Sequence, residues 1–166
     1  MTDTALPRSK PGPLAWLTAL IMALVVGLGL LQLWRLVNPP RAETAALNPA
    51  CDLHSGPCTA TFSDGSQLTL SISPQPIVQQ EPLTLQVRIS GLTVDSMQAD
   101  IVGIGMNMGY NRPALTARPD GHFSGRAILP VCVLTEMPWE IRLMAQTPDR
   151  GLLVAPFRFT TSKRQG

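Results

Sequence analysis

The sequence predicts an all-β domain, an immunoglobulin-like antiparallel β-sandwich, preceded by one N-terminal transmembrane helix. Three observations predict it. The stretch from Pro11 to Trp34 runs for 24 residues without a charge. Beyond it, apolar and polar residues alternate with period two, the pattern of strands with one buried face. Turn residues divide that alternation into eight short runs over roughly a hundred residues, as in a sandwich.

A helix rises about 1.5 Å per residue, so roughly 20 apolar residues cross a hydrocarbon core. The uncharged stretch meets that length, and Trp16 and Trp34 stand near its ends, where indoles favour the membrane–water interface. The competing reading is a cleaved signal peptide, with Thr44-Ala45-Ala46 as a small-residue processing site. The apolar region of a signal peptide spans about 7–15 residues, which is shorter than this one. An uncleaved anchor over residues 11–37 is therefore expected, with residues 1–10 before it. Arg8 and Lys10 precede the span and Arg35 and Arg41 follow it, so the positive-inside count is tied. All three cysteines lie beyond the span, which suits an oxidising compartment. The expected placement is a bacterial inner membrane, single pass, with the C-terminal domain in the periplasm.

Asn38-Pro39-Pro40 stops the helix, because proline lacks the amide donor and fixes φ. A linker at residues 38–57 leads to a β-domain at 58–161 and a tail at 162–166. Thr59 to Phe62 is followed by Asp64-Gly65, a hairpin signal. Leu68, Leu70 and Ile72 alternate with polar residues, as do Leu83, Leu85, Val87 and Ile89. Further strands are expected at Met97 to Gly105, Arg112 to Arg118, His122 to Leu129, Trp139 to Gln146 and Leu152 to Thr160. Trp139 is the expected core tryptophan.

Charge excludes one class of partner. Four of the 13 basic residues flank the span and only Asp3 of the 11 acidic ones precedes it, leaving nine basic against ten acidic beyond. Such a domain has no electrostatic footprint for nucleic acid. There is no nucleophile elbow, phosphate-binding glycine loop or helical zinc motif, so no enzymatic activity is expected.

The sulfur residues carry more information. Met106 and Met108 stand two apart, which puts both thioethers on one face of an extended chain. Met137 and Cys132 fall in the turn from Pro130 to Pro138, and Cys51 and Cys58 flank His54. Soft sulfur ligands select Cu(I), so Met106, Met108, Cys132 and Met137 form the candidate metal set. Core packing is the competing role for Met106 and Met108, and the expected one for Met97 and Met144. Among the cysteines, a disulfide joining Cys58 to either Cys51 or Cys132 is expected ahead of a metal thiolate. A Cys-x₆-Cys spacing at Cys51 and Cys58 does not match the Cys-x-x-Cys redox motif.

Strand parity brings these positions together. Successive antiparallel strands return the chain to one pole after every even-numbered strand. Cys51, His54 and Cys58 precede the first strand, and the later connections there hold Met106, Met108, Cys132 and Met137. That pole is expected nearest the linker and membrane, with His122 at the other.

The order Met106-Asn107-Met108-Gly109, Leu115, Asp120-Gly121-His122-Phe123-Ser124-Gly125, Leu129-Pro130 and Trp139-Glu140-Ile141 resembles the FixH-like and YtkA-like families. These are short single-span proteins with a small extracytoplasmic β-sandwich. The likeness runs from about Pro82 to Ala145, and the three cysteines depart from the pattern. It implies a role in copper handling or cytochrome oxidase assembly, with oxidase assembly factors or copper chaperones as partners. The competing function is a non-metal structural or interaction module of the cell envelope.

Overall fold

Alternation of apolar and polar residues dictates which face of each strand is buried. That rule holds in the computed structural model, which describes residues 12–37, 42–131 and 134–162. The N-terminal flank, the Asn38-Pro39-Pro40 stop, Cys132 and the tail beyond Ser162 lie outside the described residues. The helix and the β-domain are separate compact units.

Helix α1 (Pro13–Val37) opens on a proline, which fits the first turn because an amide donor there has no intrahelical partner. Its 25 residues span about 37 Å at the standard rise. From Trp16 to Trp34 the mean hydropathy is 2.2. The helix is long and apolar enough to cross a membrane, a property shared by single-pass anchors and signal sequences.

The β-domain contains β1 (Ala42–Thr44), β2 (Cys58–Thr61), β3 (Gln67–Ser73), β4 (Pro82–Ser90), β5 (Ser96–Gly103), β6 (Ala114–Ala117), β7 (Phe123–Ile128), β8 (Glu136–Thr147) and β9 (Gly151–Ser162). They form one sheet in the order β1-β9-β8-β5-β6-β7-β4-β3-β2. All pairings are antiparallel except β1 with β9. The expected division into two facing sheets is not what connects the strands. Short β6 pairs with β5 on one side and β7 on the other, so the sheet is continuous and curls into a half-barrel. The curl brings β2 close to β9.

Inward residues of every long strand fill the concavity. Leu68 and Leu70 of β3, Leu83, Leu85 and Val87 of β4, Ile101 of β5, and Ile141 and Leu143 of β8 are almost fully buried. Each such aliphatic side chain contributes about 1.5–3 kcal/mol on leaving water. Trp139 is wholly buried, and its Nε1–H donates to Thr161 Oγ1 at 2.9 Å, so the indole's one polar atom is satisfied.

Two elements differ from expectation. The segment expected as a linker forms β1, whose three residues lie beside Leu152 to Val154 at the start of β9. Such a short parallel edge strand has no alternation to announce it. Strand β8 starts before Pro138, not after it. Proline is tolerated in the first residues of a strand, and the Pro138 carbonyl still accepts from Ile104 N–H at 2.9 Å. Met137 therefore sits in a strand, pointing inward, and not in a turn.

Arg150, in the β8–β9 turn, clasps the curled sheet by ion-pairing with Glu43 of β1 and Asp64 of the β2–β3 turn. Its guanidinium also lies 5.8 Å from the centre of the Phe62 ring. Ser63 N–H and hydroxyl donate to Glu43, which holds that carboxyl below its ordinary pKa with further help from Arg150. Asp64 falls to about 2, chiefly because the hydroxyl and amide of Ser66 donate to it.

Candidate functional site

The connections after β3, β5 and β7 meet at one pole of the half-barrel, together with the starts of β2 and β8 and the end of β9. Hydrogen bonds fasten them to one another. Asn111 Nδ2 donates to the Ile128 carbonyl at 2.9 Å, and Gln80 N–H donates to the Leu129 carbonyl at 2.9 Å. Gln79 Nε2 reaches Thr161 Oγ1 at 3.0 Å, so this hydroxyl accepts from both Gln79 and Trp139.

Met106 and Met108 lie in the connection between β5 and β6. Glycines at 105 and 109 take positive φ there, and Asn107 Oδ1 accepts from Gly109 N–H at 3.0 Å, a compact Asx-type turn. Met108 turns onto the core, whereas Met106 remains 37 % exposed. Met137 of β8 is fully buried. The two meet over Gly103, the last residue of β5. A Cβ built on Gly103 would lie 2.9 Å from Met108 Cγ and 3.1 Å from the Met106 carbonyl oxygen, and would overlap Met137 Cε. Only a residue without a side chain lets these methionines close over the strand end. Sequence reading did not single out Gly103, although a glycine closing a strand signals a close approach.

The structure thus brings Met106, Met108 and Met137 to one pole. Cys132, between β7 and β8 in sequence, lies outside the described residues. Cys51 and Cys58 form a disulfide with Cα atoms 5.7 Å apart, one of the two pairings left open by the sequence. His54, between them, packs edge-on against Phe159, and its Nε2 lies 2.7 Å from the Thr160 carbonyl. It pins the N-terminal loop to the end of β9. Asp52 organises that loop by accepting from Ser55 hydroxyl and His54 N–H, contacts that lower its pKa in that order.

One expectation about this pole needs correction. The chain enters the domain at the opposite end, because β1 pairs with the first residues of β9 while His54 touches Thr160 near its last. Residues 45–57 climb the length of β9 before β2 begins. His122 does stand away from the methionines, beside the Asp120-Gly121 turn, with Nδ1 at 2.9 Å from Asp120 Oδ1.

The pole's chemistry is soft and apolar. Among the described residues, no group of three or more His, Cys, Asp or Glu could hold a metal ion. What converges over Gly103 are the side chains of Met108 and Met137 beside the Met106 main chain, and a thioether is a donor that suits monovalent copper. The large apolar side chains most exposed on the β-domain also cluster here: Ile104, Met106, Tyr110, Ile128, Val131 and Leu134.

Compared with known proteins, the chain matches no family model, no curated protein and no solved structure.

Proposed function

We propose that this chain is a membrane-tethered extracytoplasmic accessory protein that carries Cu(I) on methionine side chains, serving copper handling or cytochrome oxidase assembly. The observation that carries the reading is the convergence of Met108, from the β5–β6 connection, and Met137, from strand β8, over Gly103. Copper is the cargo. Met106 is the exposed thioether, Met108 is partly buried against the core, Met137 is a buried third, and Cys132 is a sequence-adjacent completer of a soft donor set. Thioethers bind Cu(I) without losing a proton, so loading would need no general base.

Three further facts support the setting. Helix α1 has the length and composition of a span. The Cys51–Cys58 disulfide suits an oxidising compartment outside the cytosol. The Met-rich turn, the Gly121-His122-Phe123-Ser124-Gly125 run and the strand carrying Trp139 keep the order seen in FixH-like and YtkA-like proteins, whose β-sandwich is part of this proposal.

A second reading has its own observation. Met137 is fully buried, as a core methionine would be, and the pole would then be an interaction surface of a structural envelope module. Competition for Cu(I) against a chelator separates the two. The full chain in detergent is expected to withdraw copper, and the Met106→Ala/Met108→Ala variant to lose most of that capacity. Equal, weak binding by both proteins would leave the structural reading standing.

A further inference from the structure

The β-domain contains seven arginines, and they divide into two groups by partner. Arg112 and Arg142 hold Asp100, Arg142 and Arg158 hold Glu140, and Arg150 holds Glu43 and Asp64. Arg88, Arg118 and Arg126 have no carboxylate within 4.0 Å among the described residues. These three share one face of the sheet.

Register puts them there. Arg88 and Arg126 are exposed on β4 and β7, alternating with buried Leu85, Val87, Phe123 and Ala127. Arg118 follows β6 and is held by its N–H to the His122 carbonyl at 2.8 Å. Between the arginines runs a row of neutral polar residues across four adjacent strands, Ser71 beside Gln86, Gln86 beside Ser124, and Ser124 beside Thr116. Of these, Gln86 and Thr116 are exposed, Ser124 is buried and Ser71 donates to the Gln86 carbonyl. Two shallow depressions of about 400 Å³ each lie on this face, and neither is lined by an acidic residue. Asp120, two residues after Arg118, is engaged with His122.

We infer that this arginine and hydroxyl face docks on anionic phospholipid headgroups. The inference rests on α1 acting as a membrane anchor. Guanidinium groups bind phosphate in a bidentate manner, and serine and threonine hydroxyls donate to the remaining oxygens. Strands lie about 4.8 Å apart, so Arg88 and Arg118, two strands from each other, are separated by roughly the width of one headgroup. Each basic residue near an anionic leaflet strengthens partitioning roughly fivefold, so three give about a hundredfold. That is weak for a free protein and ample for a tethered one, whose effective concentration at the surface is high. A nucleic acid would engage more phosphates than three arginines can reach.

Arginine footprinting with phenylglyoxal, read by mass spectrometry, tests this on the full chain in lipid nanodiscs. In discs containing phosphatidylglycerol, Arg88, Arg118 and Arg126 are expected to react roughly fivefold more slowly than in phosphatidylcholine discs, with Arg158 unchanged. Arg118→Gln, a surface change that leaves the core intact, should reduce the protection of Arg88 and Arg126, as should about 0.5 M salt. Equal reactivity in the two lipids would overturn the inference. So would protection in neutral discs by free glycerophosphate, or by an acidic polymer alone, since these point to a soluble ligand or partner. Anchoring is scored separately. Release of the chain from neutral discs under alkaline carbonate would refute the anchor and leave the footprint comparison unaffected.

Discussion

The Met137 methyl lies against Gly103 so closely that a Cβ on residue 103 would overlap it. Both residues lie on paired central strands, and Gly103 is opposite Trp139 in the ladder. The close approach makes residue 103 a gauge of how tightly the methionines are packed.

Gly103→Ala is expected to destabilise the domain by about 1–2 kcal/mol in urea unfolding, as overpacking generally does. The flexible end of Met137 can swing aside, but Met108 Cγ must move as well. On the copper reading the same variant binds Cu(I) more weakly. Unchanged stability would contradict the close packing of Met108 and Met137 on Gly103.

Thr161→Val removes the shared acceptor of Trp139 and Gln79 while keeping the shape. Two donors then lose this acceptor, one of them on a fully buried indole. Leaving a buried donor unsatisfied costs about 1–3 kcal/mol, so a loss in that range is expected by chemical denaturation. A Thr161→Ser variant keeps the hydroxyl and should recover most of it.

Hydrogen bonds from Ser63 to Glu43 and from Ser66 to Asp64, with a smaller share from Arg150, make stability depend on acid. Glu43 and Asp64 have folded pKa values below their unfolded ones, so each contributes stability that is complete above the unfolded value and is lost as pH falls through the folded one. For Asp64 that window runs from the ordinary carboxylate range down to about 2. Arg150→Met is expected to lower the melting temperature by a few degrees at neutral pH and to flatten the decline between neutral pH and strong acid. Thermal melts at several pH values check this, and parallel curves for the two proteins would refute it.

Breaking the Cys51–Cys58 bridge releases a loop closed over a sequence separation of 7 residues. Chain entropy assigns such a bridge about 2–3 kcal/mol. Cys51→Ser/Cys58→Ser should be less stable by that amount, and thiol titration of the denatured wild-type chain should find one free thiol. Three thiols would mean that no bridge forms in the cell.

The strands were legible where one face is buried, because alternation along 67–73 and 82–90 records burial directly. Pro138 concealed the start of β8, since a proline argues against a strand unless its amide is known to be unneeded. Strand β1 was invisible because three residues cannot display a period. Strand parity did bring the sulfur connections together, as strand direction is a property of count alone. It could not show that β1 carries the entry to the far end, nor that β6 fuses two sheets into one, because both depend on pairings distant in sequence. Arg150 met Glu43 across 107 residues, a contact that no local pattern encodes.

The central claim is that thioethers from Met106, Met108 and Met137 can share one soft ligand. Copper K-edge X-ray absorption on the Cu(I)-loaded full chain tests it most directly. The account predicts a first shell dominated by sulfur in wild type and in Cys132→Ser, and depleted of sulfur in Met106→Ala/Met108→Ala. A first shell of nitrogen and oxygen in the wild-type chain, or a sulfur shell that survives loss of both methionines, would contradict it.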